Sequence, residues 1–233
     1  MATQDGPGQG RIRIISLSLP LRMGRVNCYL VRVNAGYVLI DTGSSKRRPE
    51  LERELDSAGC EPGNLRLIVL THGDLDHSGN AAYLRERFDT KVAIHRDDWG
   101  MVERGDMFWN RRRGIFQRLV GALVPVLSGF GRRERLVPDL QIEDGDDLSA
   151  YGFDAKVLSV PGHSRGSVAI LAAGGDLFCG DLLTNIEQPA LNSIMDDREA
   201  ARASLERLKG MGIVTVYPGH GKLFRMELFT GSG

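Results

Sequence analysis

Cysteine is scarce in this chain, and the three that occur, Cys28, Cys60 and Cys179, are odd in number and far apart. That excludes a disulfide framework and a thiolate zinc site, and it suits a reducing cytoplasm. No run approaches the roughly 18 uninterrupted apolar residues of a membrane span, and the polar, Gly-rich start from Met1 to Gly10 has no apolar h-region. A soluble, unexported protein is the expectation. Charge of one sign is also missing: 30 Lys and Arg balance 30 Asp and Glu, so nothing global pulls the molecule toward nucleic acid or a membrane surface. With 233 residues, 42% of them hydrophobic, the chain can bury an ordinary core, and one domain over residues 1–233 is expected.

Histidine is rare too, five in all, yet its placement is patterned. His72 and His77 share the stretch Thr71-His72-Gly73-Asp74-Leu75-Asp76-His77-Ser78-Gly79 with two carboxylates, directly after the apolar run Leu67-Ile68-Val69-Leu70. His163 and His220 sit in the turns Pro161-Gly162-His163 and Pro218-Gly219-His220, again behind apolar runs, and Gly180-Asp181 follows Asp176-Leu177-Phe178-Cys179. One such residue reads as a solvated loop residue or a helix cap. Recurrence in one setting, the end of a short strand, reads as a metal site, because imidazole and carboxylate are metal donors. Only His95 is left over. Cys179, two residues before Asp181, shares that residue's strand face one step deeper, where it could support the site, but a core thiol is the preferred reading.

Short β-branched runs place strands at Arg11–Leu19, Val26–Val33 and Tyr37–Asp41, an opening meander with a tight turn at Asn34-Ala35-Gly36. A helix over Lys46–Ala58, a strand over Arg66–Leu70, a helix over Ser78–Phe88 and a strand over Lys91–His95 follow. After an irregular region come strands at Ala155–Val160, Ser167–Ala172 and Leu177–Cys179, an Asp-capped helix over Asp197–Lys209 and a last strand at Ile213–Tyr217. Two similar halves of strands and helices point to two packed sheets with helices outside, although no sequence repeat is visible.

Between Met101 and Arg135 the arginines outnumber Glu103, Asp106 and Glu134, and Ile115, Phe116, Leu119, Val120, Leu123, Val124 and Leu127 form a helical stripe. This basic amphipathic insert has three readings: a cap over the protein's own site, a homodimer surface, or a lipid- or anion-facing helix. The cap is preferred, with Trp109 and Phe116 over the substrate. Arg111-Arg112-Arg113 and Arg132-Arg133 also suit phosphate contact, but a solvated basic face is the preferred reading and nucleic acid is not expected as a partner.

Taken in order, Asp41-Thr42-Gly43, Thr71 to Gly79, Pro161-Gly162-His163, Gly180-Asp181 and Pro218-Gly219-His220 resemble the metallo-β-lactamase-fold superfamily. Its mark is a strand-end His-x-His-x-Asp-His followed by His, Asp and His at further strand ends. The resemblance implies an α+β fold, a four-layer αββα sandwich holding two divalent metal ions, zinc foremost, with manganese or iron as alternatives. His72, Asp74 and His163 would hold the first metal; Asp76, His77 and His220 would hold the second; Asp181 would bridge them, and Asp41 would support the ligands. Asp74 stands where the family usually has its second histidine. Three carboxylates in place of two make the set more negative, which favours harder ions, and the shorter side chain weakens the first site.

The resemblance implies a hydrolase that cleaves an ester, thioester, lactone or phosphoester of a small-molecule substrate with a metal-bound hydroxide, Asp76 orienting the attack. A diiron oxidoreductase is the alternative, because flavodiiron proteins of the same fold carry a carboxylate at the position of Asp74. A third reading is a catalytically weak ligand-binding member.

Overall fold

The computed structural model describes residues 11–19, 24–111 and 131–229. Strands β1 (Ile12–Ser18), β2 (Arg25–Val33) and β3 (Gly36–Ile40) form the antiparallel meander, with Ile15 opposite Cys28 and Tyr29 opposite Ile40. Helix α1 (Arg48–Ser57) then carries the chain to β4 (Leu65–Val69), which runs parallel to β3. Helices α2 (Leu75–Ser78) and α3 (Ala81–Phe88) lead to β5 (Val92–His95), and α4 (Arg96–Arg104) precedes β6 (Leu140–Ile142). These six strands make one sheet in sequential order. The second sheet runs β12-β11-β9-β8-β7, from β7 (Ala155–Ser159), β8 (Val168–Ala172), β9 (Asp176–Asn185), β11 (Thr215–Gly221) and β12 (Phe224–Arg225). The short β10 (Ala190–Leu191) pairs with β9, and α5 (Arg198–Leu208) lies between β10 and β11 in the chain.

Strand periodicity divides the apolar residues among three layers. Successive side chains of a strand face opposite sides, so a run with no polar break is buried on both faces. In β4, Leu67 and Val69 enter the core between the sheets while Ile68 joins Leu51, Leu55, Leu84 and Phe88 under α1 and α3. In the second sheet, Phe178 and Tyr217 face inward, whereas Leu177 and Val216 face Ala201, Leu205 and Leu208 of α5. Helix, sheet, sheet, helix is therefore the layer order, the αββα sandwich that the sequence predicts.

The differences from the sequence reading have local causes. Residues 96–154 are not wholly irregular: α4 and β6 lie there, the helix being capped by His95, whose Nδ1 accepts from the Asp97 amide at 3.2 Å. β9 continues past Cys179 and β11 past Tyr217. The pairing of these two strands shifts register at Tyr217/Pro218 and again at Pro218/His220, so Asp181 and His220 belong to bulged strands and not to the turns after them. Gly180 takes φ +50, and a Cβ there would lie 2.7 Å from Thr71 Oγ1. Of the expected insert over 101–135, Met101–Arg104 completes α4, and 112–130, including Phe116, lie outside the described residues.

Phe178 is the hub of the inter-sheet core. Its ring stacks on Tyr217 at 4.9 Å and meets Tyr29 at 5.2 Å and Phe153 at 6.4 Å. Phe178→Ala is expected to cost about 3–5 kcal/mol, read as a lower urea midpoint at unchanged slope. A loss under about 1 kcal/mol would mean that the two sheets do not depend on this contact.

Candidate metal centre

The sequence motif folds as a turn and a single helical turn. Beyond β4 the chain crosses Thr71 to Gly73 and enters α2 at Asp74, whose backbone is extended (φ −66, ψ 146) and whose carbonyl accepts from the His77 and Ser78 amides, both at 2.9 Å. This is a helix N-cap, yet the Asp74 carboxylate makes no capping bond. It is turned to His163 and Arg111 instead. The expected helix over Ser78–Phe88 thus starts earlier and breaks after Ser78. The break has a cause: Asn80 Nδ2 donates to the carbonyls of Thr42 and Ser44 at 2.7 and 3.1 Å, and the Asn80 amide to Thr42 Oγ1 at 3.1 Å.

Four imidazoles converge, each held from outside through Nδ1. His77 Nδ1 meets Asp41 Oδ2 at 2.8 Å, His163 Nδ1 the Ile194 carbonyl at 2.7 Å, and His220 Nδ1 the Arg25 carbonyl at 2.7 Å. His72 Nδ1 meets Thr71 Oγ1 at 3.0 Å, and that hydroxyl donates on to Asp41 Oδ2 at 2.8 Å. With Nδ1–H held in this way, each Nε2 points inward and is the nitrogen that gives up its proton and offers its lone pair when a metal binds, the arrangement that orients metal-binding histidines.

The inward atoms form three groups, two separate and a third, His72, His77 and Asp181, that joins them. His72, Asp74 and His163 offer atoms within 4.8 Å of one another, and so do Asp76, His77 and His220. Asp181 reaches both: its oxygens lie 3.4 Å from His77 Nε2, 3.4 Å from His220 Nε2 and 3.9 Å from His163 Nε2. Gly219 makes room for this cluster, since a Cβ there would lie 2.3 Å from Asp181 Oδ1. Among the described residues His72 Nε2 and Asp181 Oδ1 are buried without a hydrogen-bond partner, an expensive condition that a bound cation removes. The donor set therefore fits two divalent ions, and the structure brings together all seven residues that the sequence singles out as metal ligands.

Charge sets how the cluster holds its protons. Burial alone would push His77 down, but Asp181, Asp41 and Asp76 outweigh it and raise its pKa to about 10. His163 is lifted to about 9, burial again being overcome, here by the Asp74 hydrogen bond and the Asp181 charge. His72 goes the other way, lowered by burial and by the neighbouring His77 and His163. Burial would raise Asp74, yet Arg111, then the hydrogen bond and charge of His163, keep it well below the usual carboxylate range. Burial pushes the Cys179 thiol up to about 12 and it packs under α5, so it is the core thiol expected from the sequence.

Two residues in the site carry no sequence motif. Asp98 is buried on α4; its Oδ2 accepts from the Gly73 amide at 3.0 Å and Ser164 Oγ at 2.6 Å, and its Oδ1 from the Gly166 amide at 2.9 Å. It clamps the loop of His72 to the loop of His163. The available signal is its spacing: Asp98, Met101 and Val102 share the buried stripe of a helix, where a carboxylate needs a reason. Arg111 is the other. Its side chain is 2% exposed, Nη2 lies 2.9 Å from Asp74 Oδ1, and Nε lies 2.8 Å from Asp196 Oδ2. Inside an Arg-Arg-Arg run nothing distinguishes it from a solvated face. Trp109 is 43% exposed, with Arg104 over its ring at 3.6 Å and its indole against Gly100.

Asp41 adopts left-handed backbone (φ 59), rare for a residue with a side chain, and accepts from the Thr71 amide at 2.8 Å besides its bonds to Thr71 Oγ1 and His77. Asp41→Asn replaces one acceptor oxygen by a donor and breaks this pattern. Metal affinity is expected to fall roughly 10–100-fold, measured by chelator competition. Affinity equal to the unsubstituted protein would remove Asp41 from the ligand-orienting role.

Comparison with known proteins agrees with this geometry. The bovine protein named acyl-coenzyme A thioesterase MBLAC2 is 31% identical over 222 residues, covering 87% of this chain and 75% of its own. The crystal structure of TTHA1429, a metallo-beta-lactamase family protein from Thermus thermophilus, superposes with a TM-score of 0.70 at 26% identity, covering 94% of this chain and 75% of that one. That of TTHA1623 in a di-iron-bound form gives 0.67 at 30% identity, covering 91% and 95%. The model of the metallo-beta-lactamase superfamily matches residues 21–220, and to that superfamily this chain belongs.

Proposed function

We propose that this protein is a binuclear hydrolase of ester-type bonds in a small-molecule substrate, with thioesters the first class to test. The observation that carries the reading is the inward convergence of four Nε2 atoms on three carboxylates, each imidazole held at Nδ1. Two divalent ions bound there would supply a water that ionises near pH 7 and would polarise the scissile oxygen. Zinc, manganese and iron all suit an imidazole–carboxylate set.

The chain's own groups divide the work. His72, His163, His77 and His220, with Asp74 and Asp181, hold charge and geometry in a buried setting. Asp76 differs from the other two carboxylates: its side chain is 30% exposed, against 8% for Asp74 and for Asp181. It is the more open carboxylate, and besides its place among the ligands it would orient the metal-activated hydroxide for attack. Asp98 and Asp41 keep the ligand loops in register, so that the water and the scissile bond meet in fixed geometry. Trp109 flanks α4 as a candidate lid residue. The relative named as an acyl-coenzyme A thioesterase supports the thioester class.

Purified protein is expected to hydrolyse acyl-thioesters ahead of lactones, simple esters and phosphodiesters, to lose turnover on chelation and to regain it with zinc, manganese or iron. Inactivity toward all four classes at full metal occupancy contradicts the proposal. A diiron oxidoreductase is the second reading, supported by the carboxylate at position 74 and by the di-iron form of TTHA1623. It predicts stoichiometric iron and visible absorption after aerobic purification; a colourless zinc protein counts against it.

A further inference from the structure

The two ligand groups have the same composition. His72, His163 and Asp74 on one side and His77, His220 and Asp76 on the other are each two imidazoles and a carboxylate, with Asp181 between them. By ligand type alone the two subsites match, although Asp76 is more exposed than Asp74. The difference in charge between them is Arg111. Its guanidinium lies 2.9 Å from Asp74 Oδ1 and 3.5 Å from His163 Nε2, and Asp196 fixes it from the far side through Nε at 2.8 Å. Among the described residues, the ion pairs of Asp76 are with His77 and His220 only, at 4.0 and 3.5 Å.

We propose that Arg111 is a fixed counter-cation of Asp74 that makes the two subsites load in sequence: Asp76, His77 and His220 take the first ion tightly, and His72, Asp74 and His163 take the second weakly. This rests on the two-metal reading of the site given above. A guanidinium stays charged at any pH the protein survives, so the opposition is permanent. It acts in two ways. One positive charge a few ångströms from the incoming ion, in a buried setting that screens poorly, opposes binding by roughly tenfold or more. It also engages Asp74 Oδ1, leaving that carboxylate one oxygen, Oδ2, on the His163 side to offer a metal. Asp196 holds the side chain from the far side, and swinging aside would break both ion pairs of the guanidinium, one of them with the buried Asp74. The second ion is then the exchangeable one, and metal supply would decide how much of the protein carries both.

Titration of the metal-free full chain with zinc, and separately with manganese, against a competing chelator tests this without any substrate. The unsubstituted protein is expected to take one equivalent tightly and a second at least ~10-fold more weakly. Asp76→Asn should abolish the tight phase and Asp74→Asn the weak one. Arg111→Met should strengthen the second equivalent and narrow the gap by roughly tenfold, while Arg111→Lys, which keeps the charge, should preserve it. Far-UV circular dichroism confirms that each variant is folded. Two equivalents of indistinguishable affinity in the unsubstituted protein overturn the proposal whatever the variants do, and so does an Arg111→Met protein whose second equivalent is unchanged or weaker. Failure to take up either metal at all would instead overturn the metal-centre reading on which it rests.

Discussion

Everything in this molecule that bears on chemistry depends on fixing where imidazole protons are. A histidine donates a lone pair from Nε2 only when its proton sits on Nδ1, and the fold assigns that proton four times over. Asp41 does it twice, directly for His77 and through Thr71 Oγ1 for His72, while the carbonyls of Ile194 and Arg25 do it for His163 and His220. These four anchors come from both sheets and the loops beyond them. The sandwich is what brings them to one edge: Asn27 Nδ2 reaches across to the carbonyls of Pro218 and Gly221 at 3.0 and 2.9 Å, and the Val168 amide donates to the Thr71 carbonyl at 2.8 Å. A left-handed aspartate and two bulged strands are conformations with a cost, and here they stand at the site that uses them.

Charge balance is the second constraint. Asp74, where the sequence resemblance leads one to expect a histidine, makes the residue set more negative, which by itself would strengthen its hold on hard cations. Arg111 reverses that conclusion. Its charge, buried against Asp74, returns the cluster to the balance of the usual set, so position 74 and position 111 have to be read together. Asp74 is thereby fixed in place, held between a guanidinium and an imidazole at 2.9 Å each.

Much of this was legible in the sequence, for reasons that differ by element. The residues that converge were visible because His is rare and the clusters carrying it follow short apolar runs; the layers were visible because strands such as Leu67 to Val69 have no polar break and so must be covered on both faces. Helix α5 was legible from its cap, Asp197, which accepts from the Ala200 amide at 2.9 Å. What escaped was long-range. Arg111 looks like its neighbours until Asp74 and Asp196 are brought to it by the fold. Asp98 is a polar residue on an apolar stripe, intelligible only once Gly73, Ser164 and Gly166 surround it. The extent of β9 and β11 depended on a register shift, which pairs two strands and is written in neither alone.

The most direct test of the central claim is anomalous-scattering crystallography of the metal-loaded protein at the absorption edge of the bound ion. The account predicts two peaks, one bonded to Nε2 of His72 and His163, the other to Nε2 of His77 and His220, with Asp181 touching both. Ions bound through Nδ1, or density at neither group, would contradict it.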